Sequence, residues 1–289
     1  MFSESYFIAN TRAIISILSL DQERYLSIFG MTPAEGKKYL ANPKDFPAKY
    51  AMNFCEYFEL DMGVLFSNKF DAKTFARNFE LGQPALPDQY QQETNSKVIT
   101  LINIIQGLES SGHEWLSQTI LRRLQIPKTL LLYPEQAIPF KMIVDFLQLV
   151  EDFRTDLKLM KSFGQIGIQN LNAKFKFVGP QTAFNDEFYD QFFSKEIRQF
   201  DQSYQYKITR FKNNLIILSC TLREEFKEIY HRSSLSNAAL LEYKAGISSG
   251  LSTLFNLPLS EVSIISSNQL KGIDTLAIKL PYSSHSLVH

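Results

Sequence analysis

Only two cysteines occur in 289 residues, Cys55 and Cys220. That scarcity excludes a disulfide framework and fits buried thiols in a reducing compartment, so a cytoplasmic location is expected. Net charge is also missing: 30 Lys+Arg stand against 30 Asp+Glu. Without a long-range field, any contact with nucleic acid has to come from a local patch. No apolar run approaches the ~20 residues of a membrane span. The N-terminus carries Glu4 before its first apolar stretch and no basic leader, so neither membrane insertion nor secretion is expected. The chain has no HExxH, Walker loop, paired CxxC or Ser-His-Asp elbow, and neither His113 nor His231 has a second histidine or cysteine at metal-ligand spacing. No enzyme activity, cofactor or metal is expected. Glu151-Asp152 and Glu224-Glu225 are paired carboxylates on helices beside basic residues, the pattern of a solvated face.

What is abundant is phenylalanine and tyrosine, 24 and 13 residues against one Trp. So many rings imply either a large core or an apolar cavity. The length exceeds what one hydrophobic core usually supports, so two domains are expected. Boundaries fall at 1–70, a connection over 71–95 with Gly82, Pro84 and Pro87, a second domain over 96–282, and a tail from 283 to 289.

Apolar residues at helical spacing predict a first helix over 6–18. Asp21 caps a second over 22–29 that Gly30 ends, and Thr32-Pro33 with Glu35 signals a capped third helix to about Leu40. A fourth helix begins near Pro47, and 60–66 forms a short final turn. Further on, helices are predicted over 96–108, 115–124, 139–153, 185–200 and 236–255. Period-two patterning predicts strands over 173–178, 204–210, 215–220, 261–266 and 275–280, with Asn213-Asn214 as a hairpin turn. The fold class is therefore multidomain: an all-α bundle of about five short helices followed by an α+β domain with mainly antiparallel strands.

The segment from Leu20 to Thr32 (LDQERYLSIFGMT), together with FCEYFELDMGVLF from Phe54 to Phe66, resembles the lambda-repressor-like helix-turn-helix family over about residues 5–68. The resemblance implies that the third helix enters the major groove of duplex DNA. It places Gln22, Thr32, Glu35, Lys37 and Lys38 on the contact face, with Asn42 and Lys44 near the following phosphates. Pro33, Ala34 and Gly36 depart from the family pattern, and residues 1–70 hold seven Lys+Arg against eight Asp+Glu, which leaves a small phosphate contribution. The block Leu241–Tyr282 resembles the 4-vinyl-reductase and haem-NO-binding-like sensor domains. The stretch around Trp115, Leu124, Ile126, Tyr133-Pro134-Glu135 and Ile138-Pro139 is similar to the ligand-binding halves of arabinose-regulator-type transcription factors. Both resemblances imply a small-molecule cavity between sheet and helices. Trp115, Phe184, Phe188, Tyr189, Phe192, Tyr204, Tyr206 and Phe211 would line it, although rings at helical spacing fit plain core equally well. Clustered cysteines near the closing strands, which hold zinc in some sensor relatives, are absent.

The expected function is a homodimeric DNA-binding transcriptional regulator controlled by a small apolar ligand or a partner that the second domain, over 96–282, senses. The alternative is an adaptor that uses the helical module for protein contacts without DNA.

Overall fold

The structure is a computed structural model that describes residues 4–40, 46–81, 84–91, 94–153, 156–175, 185–210, 214–233, 235–268 and 271–281. It is mainly helical with a small antiparallel sheet. The chain divides into two compact units, Met1–Gln92 with Gln118–Leu132, and Glu93–Ser117 with Tyr133–His289. This differs from the expected division, because 118–132 joins the first unit although it lies beyond the expected connection.

The first unit is all-helical. Its helices are α1 (Glu4–Ile17), α2 (Gln22–Phe29), α3 (Pro33–Tyr39), α4 (Ala48–Tyr57), α5 (Met62–Leu65) and α6 (Ala72–Leu81). Asp21 caps α2 by accepting from Arg24 N at 2.8 Å, and Gly30 ends it at φ 69°, a left-handed conformation that glycine adopts without a Cβ clash. Phe7, Phe29, Phe54, Phe58 and Leu65 form its core, with Phe29 stacked on Phe54 at 4.6 Å and Phe7 on Phe66 at 4.6 Å. Helix α6 replaces the expected connection over 71–81. Asp71 caps it through Thr74 N at 3.0 Å, and Phe75 and Ala76 are buried. The prolines and Gly82 that suggested a loop lie beyond its end.

The second unit joins helices α7 (Val98–Ser110), α9 (Phe140–Phe153), α10 (Leu157–Phe175), α11 (Asp186–Gln191), α12 (Glu224–His231) and α13 (Asn237–Gly250) to a sheet. Helix α8 (Glu114–Arg123) lies between α7 and α9 in the chain and crosses from this unit into the first. A two-residue pair, β1 (Ser96–Lys97) and β2 (Ala137–Ile138), stands apart from the four-stranded sheet β3 (Tyr204–Arg210), β4 (Leu215–Leu222), β5 (Glu261–Asn268) and β6 (Ile273–Lys279). Its order is β3-β4-β6-β5, antiparallel throughout. These four match the expected strands within a few residues. The turn residue Asn214 has φ 58°, while Asn213 lies outside the described residues.

The expected strand over 173–178 is not there: 173–175 close α10, and 176–178 lie outside the described residues. Gly164 and Gly167 weaken the helical signal of α10, since glycine costs about 1 kcal/mol relative to alanine in a helix. They are there for packing. A Cβ on Gly164 would run into the backbone of Tyr243 and Ile247, and one on Gly246 into the carbonyl of Lys161, so α10 and α13 touch backbone to backbone.

Strands β4 and β6 alternate strictly, with Ile216, Leu218, Cys220 and Leu222 buried on one and Asp274, Leu276 and Ile278 on the other. Asp274, expected in a polar loop, thus takes a core position. The Lys244 ammonium of α13 meets it at 2.5 Å, lies 3.8 Å over the Tyr204 ring, and is 6% exposed. Ser267 Oγ donates to the second Asp274 oxygen at 2.8 Å. Burial opposes charge on Lys244, but Tyr204, Cys220 and Asp274 outweigh it and hold the ammonium above its ordinary value.

Removing one partner of such a pair leaves an uncompensated buried charge, typically costing about 3–5 kcal/mol, whereas replacing both by apolar residues is far less costly. Lys244→Met and Asp274→Leu are each expected to lower unfolding stability in urea by that order, with the double variant losing much less than the sum. Single variants as stable as the parent chain would show that the pair is solvated.

Candidate functional site

Two places carry the expected functional residues. The first is the α2–turn–α3 corner. Thr32 and Glu35 form a reciprocal cap: Glu35 N donates to Thr32 Oγ1 at 3.3 Å, and Thr32 N donates to Glu35 Oε2 at 2.8 Å. Tyr50 OH from α4 donates to the other Glu35 oxygen at 2.6 Å. Glu35 is therefore consumed inside the unit and does not belong to the outward contact set. Gly36 is buried against Leu26, where a Cβ would clash, so α3 lies close on α2. Gln22, Thr32, Lys37 and Lys38 are exposed, with Lys38 Nζ 4.9 Å over its neighbour Tyr39. Asn42 and Lys44 lie outside the described residues.

Hydrogen bonds from Tyr50, then from Thr32 backbone and side chain, hold the Glu35 carboxyl down to about 2 from its ordinary 4.5. Because the folded carboxyl is the more acidic one, its contribution is complete above pH 4.5 and fades as pH falls towards 2. Acid titration of helicity is expected to show this slope in the parent chain and a flatter one in Glu35→Gln. Identical slopes would exclude the role.

The second place is an enclosed cavity of about 50 Å³ inside the second unit. Tyr204 and Tyr206 from β3, Asn103 from α7, Phe140 and Leu147 from α9, and Lys244 from α13 contribute to its wall. Asp201, at the entry to β3, also faces it and accepts from Ser203 N at 2.7 Å; burial raises its carboxyl pKa despite those bonds and the nearby Lys244. Burial likewise pushes Tyr204 up to about 12, Tyr206 well above its usual value, and the neighbouring Cys220 thiol up to about 12. These hydroxyls and the thiol stay protonated at neutral pH, so none is an activated nucleophile or base.

Of the eight rings expected to line a pocket, Tyr204 and Tyr206 do so. Phe188, Tyr189 and Phe192 are packed into solid core instead: Phe188 meets Phe255 at 4.9 Å, Phe192 meets Phe193 at 5.2 Å, and Tyr189 OH donates to Ser248 O at 3.0 Å. The turn after α11 widens to a π-helix over Phe192–Glu196, which brings Phe193 rather than Phe192 onto Tyr206, at 5.2 Å. Trp115 is 55% exposed, edge-on to Phe153 at 6.3 Å, because the buried stripe of α8 runs through Leu116 and Ile120. Phe184 and Phe211 lie outside the described residues. Sequence reasoning missed Lys244, Asp201 and Asp274; the available signal was a lone aspartate in an inward slot of an alternating strand.

No protein-family model matches the chain, and no curated protein does. Among solved structures it is similar to an H-NOX protein from S. oneidensis at 13% identity and TM-score 0.49, over 65% of this chain and 98% of that one. An H-NOX protein from K. algicida aligns at 11% identity and TM-score 0.49, over 65% and 98% of the two chains, and a doubly substituted Tt H-NOX at 11% and 0.48, over 65% and 100%. Likeness of this size settles neither function nor ligand. The cavity of the second unit is small. Its volume is far below the roughly 300–1,000 Å³ of ordinary ligand pockets, and no histidine lines it. His113 precedes α8 with a buried Nδ1 that lacks a hydrogen-bond partner, and His231 ends α12 beside Tyr230. Among the described residues no group of three His, Cys, Asp or Glu is placed to hold a metal, and no helix is long and apolar enough to cross a membrane. Haemin added to the purified chain is expected to give no saturable one-to-one Soret shift; a stoichiometric shift would mean that the cavity opens.

Proposed function

We propose that the protein is a DNA-binding transcriptional regulator whose first unit works as a helix-turn-helix module. The observation that carries this reading is the α2–α3 corner. The left-handed Gly30 and the Gly36–Leu26 contact set the two helices, and the residues left outward on α3 include Lys37 and Lys38. Solvent-facing lysines in the last turn of α3 suit phosphate contact. Homodimerisation belongs to the same reading, because one small module reaches one half-site. The edge strand β5 supports it, with Ile264 43% and Ile265 55% exposed, apolar surface that a second copy would cover. The raised pKa values around the cavity support a non-catalytic second unit, and we place responsiveness to a small ligand or partner in the protein as a whole.

An adaptor that binds a partner protein is the second reading. It is favoured by the charge balance of residues 1–70 and by the exposed Met52 and Tyr57 on α4.

Gel retardation with a library of genomic fragments separates the two. Retardation at low ionic strength that weakens steeply with salt is expected, and Lys37→Glu with Lys38→Glu is expected to abolish it. No retardation by the parent chain even at low salt would end the regulator reading and leave the adaptor.

A further inference from the structure

A groove of about 360 Å³ lies wholly within the first unit, between the end of α4, helix α6 and residues 121–129. Its floor is aromatic. Phe58 and Phe75 are buried, Phe79 is 46% and Tyr57 49% exposed at the rim, and the rings meet mostly edge to face, Phe58–Phe79 at 5.2 Å and Phe58–Phe75 at 5.6 Å. Arg122 stands on the wall, and its Nε is buried without a hydrogen-bond partner. A buried guanidinium N–H left unpaired is costly, and it calls for an acceptor that the chain does not supply.

Several other polar groups of the wall are committed. Gln125 Nε2 donates to Lys69 O at 2.9 Å and its Oε1 accepts from Asp71 N at 3.1 Å; Lys128 pairs with Glu59 at 3.5 Å; Asn78 Oδ1 accepts from Ala85 N at 2.8 Å. Glu59 and Gln125 also hold left-handed backbone, φ 53° and 54°, where L side chains are strained. Each closes the end of a helix, α4 or α8, and each carries a side-chain staple that keeps the two walls of the groove in place.

We infer that this groove is a binding site for a small organic monocarboxylate with a flat apolar body, its carboxylate on Arg122 and its body on Phe58, Phe75 and Phe79. The volume lies within the range of ordinary small-molecule sites. An uncharged ligand would leave the Arg122 donor unmet, and a polyanion would meet the Glu59 carboxylate on the same wall. Planar guanidinium and carboxylate match as a fork, and the half-exposed rings of Phe79 and Tyr57 at the rim offer apolar surface to a flat body. This site is separate from the cavity of the second unit, and binding here does not depend on the DNA reading.

Calorimetric titration of the full chain with 2-naphthoate and with its uncharged isostere 2-naphthamide tests the assignment. Saturable one-site binding of 2-naphthoate is expected, with the amide about tenfold or more weaker, the loss that follows from removing one charged hydrogen bond. Arg122→Met is expected to weaken the acid by a similar factor and leave the amide unmoved, whereas Phe79→Ala weakens both. If Arg122→Met loses its helical signal, Arg122→Lys serves in its place: it keeps the charge, loses the planar fork and weakens the acid alone. Equal affinities for acid and amide, no saturable binding of 2-naphthoate to the parent chain, or an arginine variant that binds the acid as the parent does would overturn the assignment.

Discussion

The Lys244 ammonium is the charge around which the second unit is arranged. A cation taken out of water needs a carboxylate and further hydrogen-bonding or aromatic company. Here Asp274 supplies the carboxylate from an inward position of β6, Ser267 completes that carboxylate from β5, and the Tyr204 face covers the ammonium from β3. One side chain of α13 thus ties three strands to a helix. The same helix must lie close against α10, and Gly164 and Gly246 allow the backbones to meet. Polar contact on one side of α13 and backbone contact on the other fix its position, and the cavity is the small space left beside Lys244.

The first unit is organised differently, by stacked rings inside and by helix caps at its corners. Glu35 illustrates how one residue is assigned by structure and not by residue type. A glutamate on a presumed recognition helix reads as a contact residue, yet its carboxylate is bound to Thr32 and Tyr50. The cap aligns α3 and leaves Lys37 and Lys38 as its outward charges. On another side of the unit lies the aromatic groove, with the Nε of Arg122 on its wall lacking a hydrogen-bond partner. The cavity of the second unit is small by comparison.

Local chemistry was legible in the sequence. Asp21, Gly30 and Thr32-Pro33 announce helix ends through hydrogen bonds and φ preferences that involve only near neighbours, and the structure shows each in that role. Strands β3, β4 and β6 were legible because one sheet face is buried and the other is not, which imposes period two. Helix α10 was hidden because its glycines answer to α13, some eighty residues away, and α6 because the turn-forming residues just after it dominated the reading.

What the amino-acid sequence determined alone was therefore the set of interactions closed within a few residues: caps, turns, alternation, and the absence of motifs for metal or catalysis. Tertiary structure decided which rings enclose space, which carboxylates are consumed, and which arginine lacks a partner. Those outcomes depend on groups distant in sequence meeting in a low-dielectric interior, where an unpaired charge or a mismatched volume is costly, and no local pattern encodes that meeting.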